Sequence, residues 1–151
     1  MWRPRMKVPS EKGFTLVELM VVLAILGALS VTGLHAFDKL RGRAVGSEAL
    51  VIMKQLLDGE VMYYLENEKY FPEPGEVIAV FKDDPSSKPE IRQIKDALKV
   101  YVPVKHHLDF VITHDPLGRV LIQIDADFPI FTDGSTGIRA VMDKSGKVEY
   151  L

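Results

Sequence analysis

Glu18 is the one acidic residue inside an apolar run, FTLVELMVVLAILGALSVTGLHAF from Phe14 to Phe37, whose only other titratable side chain is His35. An acid at the centre of such a helix costs roughly 2.5 to 3.5 kcal/mol in hydrocarbon, less near an end, and is tolerated when a cation or hydrogen-bond donors satisfy it. The chemistry to expect of Glu18 is therefore pairing. Gly13, a small residue, stands directly in front of the run and behind a basic leader carrying Arg3, Arg5, Lys7 and Lys12 against Glu11. That charge favours a cytoplasmic N-terminus. A secretory signal keeps its small-residue cleavage site behind the apolar run, so the order here is inverted, and a cut after Gly13 removes the leader and leaves the helix in place. Two other readings stay open on these residues: a conventional signal cut after the Ala28-Leu29-Ser30 triplet, and a signal anchor, which accounts for the apolar length but not for the placing of Gly13 and Glu18.

Elsewhere the chemistry-bearing residues are sparse. His106, His107, His114 and Asp115 are close in sequence, but their spacing matches no zinc pattern, and turn or surface histidines are the expectation. Asp125, Asp127, Asp133 and Asp143 bring carboxylates to the C-terminal region in a spacing that fits no EF-hand; a solvated acidic edge that resists strand pairing is expected there, and no metal. Glycine-rich phosphate loops, nucleophile elbows and cysteine nucleophiles are all absent, so neither catalysis nor a cofactor is expected.

The elements that must carry these residues can be read from periodicity. Twenty-four helical residues from Phe14 reach about 36 Å, enough for a hydrocarbon core of about 30 Å. The pattern continues through Ala44, Val45, Ala49, Ile52, Met53, Leu56, Leu57, Val61, Tyr64 and Leu65 at spacings of three and four, and stops at the breaker cluster Tyr70, Phe71, Pro72, Glu73, Pro74 and Gly75. One helix thus joins the apolar segment to a globular part. Glycines 27, 33, 42, 46 and 59 interrupt it, and between Gly27 and Gly46 bending or local melting should cost least; close helix approach is the alternative use for Gly27 and Gly33. Val77 to Phe81 suits a short strand, and Ile91 to Leu98 a short helix with Ile91, Ile94, Ala97 and Leu98 on one face. Leu108 to Thr113 with Arg119 to Asp125, and Gly137 to Met142 with Lys147 to Leu151, read as hairpins around DPLG and DKSG turns. The expected fold is α+β: a long N-terminal helix packed on a small antiparallel sheet of four strands, with 1–13 as leader, 14–37 spanning, 38–68 as the exposed half of the helix and 69–151 as the globular domain.

The stretch KGFTLVELMVVLAILGAL resembles the N-terminus of type IV prepilins and type II secretion pseudopilins, a match covering roughly the first quarter of the chain. The resemblance implies that a membrane-embedded prepilin peptidase cuts between Gly13 and Phe14 and N-methylates Phe14. It also implies that Glu18 pairs with the new amine of Phe14, in its own or a neighbouring subunit. Implied partners are other pilin or pseudopilin subunits in a helical filament, with an assembly ATPase and a platform protein. The implied location is the bacterial inner membrane, N-terminus cytoplasmic, and then a periplasmic or surface filament. YYLENEKYFP, Tyr63 to Pro72, is similar to the helix exit of many members. The chain departs from many pilins in having no cysteine for a C-terminal disulfide and in carrying His35 where a proline is common. The DPLG turn resembles one common in major pseudopilins, a group known for calcium in the C-terminal loops.

Removing 13 residues takes away four basic side chains and one acidic one, so the side-chain balance moves from −2 to −5, which argues against a general nucleic-acid surface. The expected function is a filament subunit, with a secretion pseudopilin favoured over a true pilin serving adhesion, motility or DNA uptake. A membrane-anchored periplasmic binding module that never assembles is the alternative from a different class.

Overall fold

The computed structural model describes residues 13–103 and 107–151. The leader basics Arg3, Arg5, Lys7 and Lys12, together with His106, lie outside the described residues, as does the side chain of His35. Two compact units divide at Asp38, inside one continuous helix, α1 (Leu16–Asn67).

In the first unit the helix has no core to join. Every described side chain from Leu16 to Phe37 is exposed, and the apolar stretch has a mean hydropathy of 2.2, a length and composition sufficient to cross a membrane. A contiguous bare apolar surface of this kind marks a contact with lipid or with other chains. The helix runs unbroken through Gly27 and Gly33, where a Cβ would meet nothing within 4 Å.

In the second unit the same helix buries a stripe. Val45, Ala49, Ile52, Met53, Leu56 and Leu57 are buried at spacings of three and four. The expected stripe is corrected at its edges: Ala44, Val61 and Leu65 are exposed, and Gly59, Glu60, Tyr63 and Tyr64 carry the packed face onward. The glycines of this half serve packing and not bending. A Cβ at Gly42 would stand 2.6 Å from the carbonyl oxygen of Pro129, and one at Gly59 would stand 2.7 Å from that of Leu98, so the missing side chains let a loop and the end of a second helix lay their backbone directly on α1.

The sheet has five strands where four were expected. Its order is the sequence order, antiparallel throughout: β1 (Ile78–Val80), β2 (Asp109–His114), β3 (Val120–Asp125), β4 (Gly137–Met142) and β5 (Val148–Tyr150). The fifth strand is the short Ile78–Val80 segment, which pairs along β2 as an edge. Register puts Phe110 opposite Ile124, Ile112 opposite Ile122, and Val120 opposite Met142, so the alternating apolar residues share one face. They form a single buried cluster with the helix stripe and with Ile91, Ile94 and Leu98 of α2 (Lys88–Leu98). α2 starts three residues before the expected Ile91 because Pro89 sits in its first turn, where no backbone N–H is needed.

Candidate processing and assembly site

Gly13 and Phe14 lie in non-helical chain immediately before α1, both exposed, Phe14 at 85%. The peptide bond between them is therefore outside the helical hydrogen-bond ladder. Glu18 lies one turn into the helix. Its Oε2 accepts the Thr15 backbone N–H at 2.9 Å and the Thr15 hydroxyl at 2.8 Å, while the Glu18 N–H donates to Thr15 Oγ1 at 3.2 Å. This reciprocal pattern is a capping box, in which two of the otherwise unpaired donors at a helix start are satisfied. Thr15 was missed in reading the sequence, although T-x-x-E is a visible signal for it. Both carboxylate bonds fall on Oε2. In the uncut chain the nitrogen of Phe14 is an amide and carries no charge.

The other candidate residues go to local duties. Asp115 opens the β2–β3 turn: its Oδ1 accepts N–H groups of Leu117 and Arg119, each at 2.9 Å, and its Oδ2 meets Arg119 Nε at 2.7 Å, which holds its carboxyl below the usual range. His114 ends β2 with a buried Nδ1 that has no hydrogen-bond partner, and burial lowers its pKa against the opposing pull of Asp115. His107 lies against Arg41. Asp125 bonds the Gln123 amide, Asp127 pairs with Lys82 at 2.7 Å, Asp133 accepts from Ser135, and Asp143 accepts from Ser145 and Lys147. The aspartates thus have separate local partners, and among the described residues no three of His, Asp and Glu gather as metal ligands.

A second carboxylate, Glu60, was also missed. It is fully buried on the packed face of α1, where Oε2 accepts the Phe71 N–H at 2.9 Å and Oε1 has no partner among the described residues. Burial pushes its pKa up to about 8, with the Phe71 bond opposing. Its spacing of four from Leu56 and seven from Met53 marked the position as inward. Glu60 fastens the helix exit, where Glu68 takes a left-handed φ of 57°, Tyr64 stacks on Tyr70 at 4.6 Å and the Tyr70 hydroxyl donates to the Asp143 carbonyl at 3.1 Å.

Comparison with known proteins meets this geometry at the same end of the chain. Residues 9–34 match the family described as the prokaryotic N-terminal methylation motif. The chain is 37% identical over 62 residues to the type IV major pilin protein PilA of Myxococcus xanthus, covering 41% of this chain and 28% of the relative. It is 40% identical over 60 residues to the type IV major pilin protein PilE1 of Neisseria gonorrhoeae, covering 40% of this chain and 36% of the relative. A fimbrial protein of Moraxella nonliquefaciens shares 46% over 43 residues, 28% of each chain. The matches thus span about a third of the length of these curated relatives. No solved structure matches.

Proposed function

The N-terminal segment of the chain belongs to the type IV pilin and pseudopilin family, and from that premise we propose that the protein is a filament subunit made from a membrane precursor. A prepilin peptidase removes residues 1–13 by cutting between Gly13 and Phe14, and Phe14 is N-methylated. The segment from Phe14 to Phe37 anchors the subunit in the inner membrane, single-pass with its N-terminus cytoplasmic, and an assembly ATPase with its platform protein moves it into a helical stack. The reading rests above all on the bare apolar helix from Leu16 to Phe37, every described side chain of which is exposed in the single chain. In a stack these faces bury against one another, so leaving the bilayer does not expose them to water.

Cleavage turns the Phe14 nitrogen into a cation four residues from Glu18. The carboxylate, already oriented by Thr15, then meets a charged donor in an apolar surrounding, where the pair is strong and the unpaired acid is costly. This fixes the register of one subunit on the next. Sequencing the mature N-terminus by mass spectrometry tests the processing step: an N-methylated Phe14 is expected, and a start after Ser30 or an intact leader refutes it.

The absence of cysteine and the DPLG turn favour a short secretion pseudopilus. A surface fibre is the second reading, favoured by relatives that are named as type IV major pilins. In a deletion strain, loss of protein secretion with surface fibres intact supports the first, and loss of fibres with secretion intact supports the second.

A further inference from the structure

Three basic residues, Lys39, Arg41 and Arg43, follow the apolar run within six residues of Phe37, and all three are exposed. If the leader lies in the cytoplasm, they flank the span on its translocated side, against the usual excess of Lys and Arg on the cytoplasmic face. Arg41 is held in place there. Its Nη2 lies 3.3 and 3.2 Å from the two ring nitrogens of His107, and its Cζ stands 4.8 Å from the centre of the Phe128 ring. The His107 and Phe128 rings meet edge to face at 5.7 Å, so two rings orient one guanidinium. Among the described residues no carboxylate pairs with Lys39, Arg41 or Arg43. Asp127, next to Phe128 in sequence, pairs with Lys82 at 2.7 Å and also interacts electrostatically with His107, and Asp38 directly precedes the basic stretch.

A guanidinium set by aromatic faces keeps edge N–H donors for an oxyanion, and their planar fork suits phosphate better than a mobile ammonium does. Arg41 lies four positions beyond Phe37 on the same helix, about 6 Å along its axis, which matches a headgroup layer about 5 to 8 Å thick beside the hydrocarbon. We propose that Arg41, seated on His107 and Phe128, binds the phosphate of an anionic phospholipid headgroup where the apolar run leaves the bilayer, a role that presupposes the membrane anchor proposed above. The lipid contact holds the subunit at the membrane surface and must be released when the subunit is drawn into a filament.

The test uses the full chain in dodecyl maltoside micelles, titrated with phosphatidylglycerol, phosphatidylcholine or inorganic phosphate, with bound lipid counted by native mass spectrometry. Phosphatidylglycerol should be retained more tightly than phosphatidylcholine, and Arg41→Gln should weaken that preference about five-fold while leaving phosphatidylcholine retention unchanged. Arg41→Lys should fall between, because it keeps the charge and loses the fork. Equal preference in the wild type and Arg41→Gln overturns the proposal. Displacement of phosphatidylglycerol by millimolar inorganic phosphate also overturns it, by reassigning the site to a free anion. Matching thermal unfolding curves confirm that this exposed substitution leaves the fold intact. Alkaline carbonate extraction of cell membranes separates the two readings: release of the chain removes the anchor itself, whereas retention without lipid preference removes only the Arg41 contact.

Discussion

Replacing Glu60 with Gln should make the fold more stable at alkaline pH and remove a slope from its stability profile. The buried carboxyl has a pKa of about 8 against an ordinary value of 4.5, so between those values the folded chain holds a proton that the unfolded chain releases. Stability is then full below pH 4.5, falls by about 1.4 kcal/mol per pH unit above it, and levels off once pH passes about 8. The accumulated loss is on the order of 5 kcal/mol, large beside the ~5 to 15 kcal/mol that holds a domain together. Gln has the same shape, its amide oxygen can accept the Phe71 N–H, and it never ionises. The measurement is urea unfolding of the full chain in a non-ionic detergent, followed by circular dichroism from pH 5 to pH 9 for both proteins. His114 adds a background of opposite sign, since its lowered pKa makes stability fall as pH drops below 6.5, but it is common to both proteins and cancels in the difference. The curves should nearly meet at pH 5 and separate by several kcal/mol at pH 8.5, Glu60→Gln lying higher. Parallel curves, or a variant less stable at every pH, would refute the reasoning.

Gly42→Ala should destabilise the globular unit by about 1 to 3 kcal/mol, because its Cβ would meet the Pro129 carbonyl at 2.6 Å and outweigh the gain in helix propensity. Gly27→Ala, which meets nothing in the single chain, should leave unfolding of that unit unchanged, and thermal scans of both variants check the contrast. Glu18→Ala should still be cleaved and methylated but should assemble poorly; normal filament yield from that variant would sink the pairing with Phe14. Gly13 replaced by a bulky residue should leave an unprocessed membrane precursor, seen as a larger band on a denaturing gel. Asp143→Ala should speed hydrogen exchange at the Ser145 and Lys147 amides; the wild-type contribution, present above pH 3.8, should disappear as acid protonates Asp143.

How much of the fold could be read beforehand depended on how local its cause was. The α+β class, the helix through Leu57, the stop before Tyr70, the α2 stripe of Ile91, Ile94 and Leu98, and the strand Gly137–Met142 all follow from short-range periodicity and turn residues. The Ile78–Val80 strand was legible as a segment, but nothing near it said that it would pair with Ile112, Val111 and Phe110. Thr15 was legible as half of a capping box, since T-x-x-E at a helix start is a purely local signal. Gly42 and Gly59 looked like weak points, since propensity counts only what a glycine costs its own helix. Their use depends on Pro129 and Leu98, which are remote in sequence.

The sequence by itself determined the apolar helix, the glycine in front of it and the acid within it, because apolar length, local charge and residue order are one-dimensional properties of a chain. Tertiary structure alone decided that Glu60 lies sealed under Phe71, that Arg41 rests on His107 and Phe128, and that the backbone of Pro129 and Leu98 fills the glycine notches of α1. Those facts turn on which distant atoms exclude water from which polar group, and burial of that kind exists only once the strands and the helix have packed.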